Sequence, residues 1–193
     1  DPETRGPSQA MIAGRKKGIF FDVGHGGGSF QWSCAIPLMK AGFVPDSIST
    51  DLHRSSASRG MKDMLNVMSK FLAMGMSLDE VILRSTWNPA KQIKHEELGH
   101  LSPGAVADIA VLRLENGKFG FLDEANLRVD GTRKLVAEMT LRDGKIVYDL
   151  NGVGRGSWET VPFGQRPPSE PLWDGLANQP SGARPRRTTT SAK

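Results

Sequence analysis

Over the first 95 residues, apolar positions fall alternately into short runs of strand length and into stretches at helical spacing. Ser8 can cap a helix over roughly Gln9–Lys17, and Gly18 suits its C-terminal stop. The run Ile19–Val23, IFFDV, reads as a strand. A second helix, capped at Ser29, runs through about Lys40 and ends at Gly42, with a kink expected at Pro37. Ser47–Thr50 reads as another strand, ending at Asp51. Ile19 to Ser47 is one βα repeat, close to the ~30 residues such a unit takes. Met64, Leu65, Met68, Phe71 and Leu72 then lie on one helical face, with Gly75 as the stop. Ser77–Glu80 is a capping box opening VILRST. Asn88 and Pro89 give the cap and first turn of a short helix through about Ile93.

After Leu98 the period changes to two. ADIAVLRL is predicted to turn at Asn116-Gly117 into KFGFLD, and KLVAEMTLR at Asp143-Gly144 into KIVYD. Both dipeptides favour tight hairpins, so an antiparallel segment is expected over 96–150. From Asn151 periodicity stops. The segment 151–193 is rich in Pro, Gly and Arg; 175–193 is expected to be disordered, while Trp158 and Trp173 suggest that the part before it folds back onto the body.

The composition adjusts this picture slightly. Hydrophobic residues make up 38% and charged residues 24%, the balance of a soluble globular chain. No apolar run reaches the ~18 residues of a membrane span, and the polar opening DPETRGPSQA lacks the apolar core of a signal peptide. The net charge of +4 sits mainly at the end, where Arg155, Arg166, Arg184, Arg186, Arg187 and Lys193 outnumber Glu159, Glu170 and Asp174. A body so near neutrality argues against specific nucleic-acid binding. A single cysteine, Cys34, excludes an internal disulfide framework and a cysteine-based zinc finger; it is expected to be a small buried apolar residue, and it fits a reducing, cytoplasmic compartment.

The candidate chemistry lies where the two strands end, as it does in parallel α/β folds. One end is DVGHGGGSF, with Asp22 and His25; the other is STDLH, with Asp51 and His53. The glycine-rich stretch lacks the third glycine of a dinucleotide loop, which would fall at Ser29, and no Gly-Lys-Ser/Thr follows for a phosphate-binding loop. From spacing, two readings stand. In one, Asp51, His53 and His25 approach a metal ion, with an aspartate as general base. In the other, Asp51 caps the next helix and His53 lies on the surface. His95 and His100 flank a loop and are read as solvated.

In order along the chain, GIFFDVGHGGGSFQW, GFVPDSISTDLH, MSKFLAMGMSLDEVILRSTWNPAK and LGHLSPGAVADIAVL resemble the C-terminal half of the amidohydrolase superfamily, in its amidohydrolase/deacetylase branch related to dihydroorotase. The resemblance covers roughly residues 1–150. It implies an α/β chain in which 1–95 forms the last two βα units of a (β/α)8 TIM barrel and 96–150 forms part of a small β-sandwich. It implies a metal-dependent hydrolase of amide or ester bonds in small molecules, with a binuclear zinc centre. Asp51 would ligate one metal and take the proton of the bridging water. His25 would contact substrate, with Gly26 and Ser29 shaping the loop; His53 receives no role. The His-x-His of the family's first strand is absent, and the remaining metal holders would lie upstream of residue 1. The expectation is therefore a fragment inactive by itself, partnered by the missing N-terminal half or a full-length subunit. The alternative is a non-catalytic degenerate paralogue acting as a structural or regulatory partner.

Overall fold

A computed structural model of the chain describes residues 1 and 3–165. Helix α1, Gln9–Lys16, is capped by Ser8, whose Oγ accepts from Met11 N. Strand β1 covers Asp22–Gly24, later than the apolar run predicts. Ile19 and Phe20 stay 55% and 62% exposed, so the pairing starts only where Asp46 and Ser47 donate to Phe21 O. Asp46 also accepts from Phe21 N and pairs with Arg15, tying α1 to the entry of β1.

Helix α2, Trp32–Lys40, begins three residues after Ser29. Its first amide, Trp32 N, donates to the carboxylate of Asp123, 91 residues away, so a distant side chain replaces the expected local cap. Pro37 lies inside the helix. Cys34 is exposed rather than buried, because α2 turns Trp32 inward instead. Strand β2, Ser47–Ser49, pairs in parallel with β1 in the register Asp22 to Ser47, Val23 to Ile48 and Gly24 to Ser49. Alternation along a strand then sorts the two faces. Val23 and Ile48 turn to the core, while Asp22 accepts from the hydroxyls of Ser47 and Ser49 on the opposite face.

A short helix α3, Arg54–Ala57, precedes α4, Met64–Ala73, which is capped by Asp63. Helix α5, Leu78–Ser85, starts as expected at Ser77, whose side chain accepts from Glu80 N. The Glu80 carboxylate is engaged by Arg84 one turn on. Helix α6, Trp87–Gln92, starts one residue before Asn88, whose Nδ2 donates instead to Asp46 O and ties the helix to the entry of β2.

The antiparallel sheet has the order β3-β4-β5, with β3 Ile109–Leu122, β4 Arg128–Arg142 and β5 Lys145–Asp149. The turn at Asp143-Gly144 is as predicted, with φ of +50° and +73°, the sign a tight I′ hairpin requires. Asn116-Gly117 is no turn: β3 runs through it with a register shift between Asn116 and Phe119. The irregularity keeps Phe121 in the core, where it is 2% exposed. The chain reverses instead at 123–127, where Asp123 Oδ1 accepts from Ala125 N and Leu127 N.

The sheet is a separate layer, yet it does not form a separate core. Phe121 and Leu135 join Ile48, Val67 and Phe71 in one apolar cluster. Helix α4 lies on β4, and Ser69 Oγ accepts from Leu135 N. The approach is close enough that a Cβ on Gly131 would stand 3.0 Å from that of Ala73. Beyond β5, Trp158 is 82% exposed, so it does not anchor the following segment on the body. Trp173 and residues 175–193 lie outside the described residues.

Candidate active site

The loops leaving β1 and β2 meet at one end of the parallel pair. Gly26 N donates to Thr50 O at 2.8 Å and stitches them together. Gly26 has φ +53°, and a Cβ there would stand 2.5 Å from Asp51 Oδ2. Glycine thus supplies both the left-handed conformation and the space in which the Asp51 carboxylate lies. Asp51 itself has φ +49°, a conformation that Asp adopts more readily than most side chains. It is exposed, and among the described residues its carboxylate accepts no hydrogen bond. Asp51 does not cap α3; the residue at that position is His53, whose N–H donates to Ser56 Oγ at 2.9 Å. The His53 ring lies against Gly27, its Cε1 3.2 Å from where a Cβ would stand, with Nδ1 at 3.0 Å from Ser55 Oγ. Arg59 reaches Gly27 O from the far side of α3.

The structure therefore brings Asp51, Gly26 and His53 together. His25 is placed differently from the expectation of a ring facing substrate. It is fully buried and stacked on Phe30 with ring centroids 4.6 Å apart. Its Nδ1 lies 2.9 Å from Gly26 O and its Nε2 2.7 Å from Lys70 Nζ, so both nitrogens are engaged inside the protein. Ser29 is exposed on a mainly apolar cleft of about 180 Å³, walled by Phe21, Phe30, Leu38 and Phe71. Neither Asp51 nor His25 lines that cleft.

Lys70 is the residue that sequence reasoning missed. It lies on the buried face of α4, fully enclosed, and its Nζ also donates to Gly60 O at 2.6 Å. Burial pushes its ammonium down to about 8, against the pull of Asp123 and with a further push from Lys62. Burial likewise holds His25 below its ordinary value; the bond to Gly26 O opposes this and Lys70 adds to it. The sequence signal was a cation inside the apolar stretch MLNVMSKFLAMG. His95 pairs with Glu97 on the surface, as expected, and His100 packs edge-on against Trp87.

The donor set decides how far a metal fits. Among the described residues, no group of three or more His, Cys, Asp or Glu side chains converges. The second carboxylate on this sheet face, Asp22, is held by Ser47 and Ser49. A zinc site takes about three protein ligands plus water, so the described residues do not form one by themselves.

The amidohydrolase family model matches residues 32–147. The chain belongs to the amidohydrolase family. It is 41% identical over 98 residues to a deacetylase of Brucella anthropi, a match covering 51% of this chain and 24% of that protein. Among solved structures, it superposes on an adenine deaminase with a TM-score of 0.73 and 27% identity, covering 77% of this chain and 40% of that one. It superposes on a dihydroorotase with a TM-score of 0.65 and 28% identity, covering 72% and 39%. The chain thus spans about a quarter of the curated deacetylase it matches. The α/β class read from the sequence agrees with these neighbours. No helix among the described residues is long and apolar enough to cross a membrane.

Proposed function

We propose that this chain forms the C-terminal end of a cytoplasmic hydrolase that cleaves amide or ester bonds in small molecules, in the manner of a deacetylase. The pair β1–β2 then corresponds to the last two βα units of a (β/α)8 barrel, and β3–β5 to part of the accompanying β-sandwich. The family and the deacetylase relatives support the reaction class. The observation that carries the assignment is the Asp51 carboxylate, lying on Gly26 at the C-terminal end of β2 and free of hydrogen-bond donors among the described residues. A carboxylate so placed can accept the proton of an attacking water.

Zinc enters this reading through the resemblance alone. Asp51 would supply one ligand, and the others would come from outside the described residues, in a longer protein or a partner subunit. The chain by itself is accordingly proposed to lack turnover. The test measures zinc content and hydrolysis of ester and N-acetyl substrates, first for the purified chain and then for the chain joined to the N-terminal half of a family deacetylase. The expected result is neither stoichiometric zinc nor turnover alone, turnover in the joined protein, and its loss by ~100-fold or more in Asp51→Asn. Stoichiometric zinc with turnover by the chain alone refutes the proposal. A complex that forms and is indifferent to Asp51→Asn supports the non-catalytic partner instead.

A further inference from the structure

The Gly26 amide ties the loop to Thr50 O, but the glycines carry no side chains that could anchor it to the helices behind. The fixed point is His25, and what fixes His25 is Lys70, which comes from α4, 45 residues further along the chain. An ammonium is donor only, so His25 Nε2 must accept and the ring proton sits on Nδ1, where it donates to Gly26 O. Gly26 in turn donates to Thr50 O, the residue before Asp51. Phe30 completes the enclosure: it stacks on His25, and Lys70 Nζ stands 5.6 Å from its ring centroid. The charged groups acting on the pair are Asp123, Asp63 and Lys62. An apolar residue in this place on α4 would escape the cost of burying a cation. A lysine here gives instead one tautomer of one histidine and one setting of one loop.

We propose that Lys70 is a positioning residue of the candidate site: through His25 it locks Gly26, and with it the place of the Asp51 carboxylate. The proposal rests on the reading of Asp51 as the working carboxylate, but its test needs no turnover, so the two can fail separately.

Nitrogen-15 NMR of the full chain with labelled histidine should show His25 neutral, with its proton on Nδ1 and Nε2 bare. In Lys70→Met, amide exchange at Gly26 should accelerate by about tenfold or more relative to Val129 in the antiparallel sheet. A proton on Nε2 in the wild-type protein overturns the proposal without requiring any variant to fold. Equal acceleration of Gly26 and Val129 in Lys70→Met overturns it as well.

Discussion

Replacing Lys70 by methionine also tests how strongly burial acts on the charge behind the candidate site. Lys70 is fully enclosed, and its pKa is pushed from 10.5 to about 8. A base that binds its proton more weakly in the folded state penalises folding wherever it is charged. Below about 8 the ammonium is charged in both states and the full penalty applies. Between 8 and 10.5 the unfolded chain retains a proton that the folded chain has released, so stability rises with pH. At ~1.4 kcal/mol per pH unit, the total gain is about 3 kcal/mol. Lys70→Met lacks this gain. At pH 7 the variant leaves His25 Nε2 and Gly60 O without a donor, at ~1–3 kcal/mol each, but is relieved of about 3 kcal/mol of charge burial. At neutrality the variant should therefore lie between ~1 kcal/mol above and ~3 kcal/mol below the wild type, and the wild type should gain a further ~3 kcal/mol on it by about pH 10.5. Urea unfolding followed by tryptophan fluorescence from pH 7 to 11 measures this, and groups that titrate in both proteins cancel in the difference. A difference that does not change with pH refutes the reasoning.

Asp123→Ala should lower stability by ~3–5 kcal/mol in thermal unfolding, because three amides, Trp32, Ala125 and Leu127, lose their acceptor at a site 1% exposed; a loss below ~1 kcal/mol contradicts that account. Trp158→Ala should change stability by no more than ~0.5 kcal/mol, since the ring is 82% exposed. A loss above ~1 kcal/mol in the same assay would show the ring packed on the body after all.

What was legible in the sequence is what neighbours in the chain decide. The Ser8 and Ser77 caps, the apolar face of α4 and the Asp143-Gly144 turn each depend on residues a few positions apart, and each is present. Asn116-Gly117 misled because the dipeptide that makes a hairpin also fits an irregular strand, and the choice was made by Phe121 reaching the core. Ser29 failed as a cap because a distant group intervened, Asp123 taking the first amide of α2, and Asn88 failed because α6 already begins at Trp87. At the site, the neighbourhood of Asp51 and Gly26 could be anticipated because both follow parallel strands. The enclosure of His25 could not, since Phe30 and Lys70 surround it through folding rather than spacing.

Helix α4 carries two consecutive residues with opposite errands. Ser69 faces the antiparallel sheet through Leu135, and Lys70 faces the glycine loop through His25. A single turn of helix thus serves as a shared beam, and the sheet cannot be trimmed away or redesigned as an independent module. A change that shifts β4 is therefore expected to be felt at Lys70, and through His25 at the loop beside Asp51.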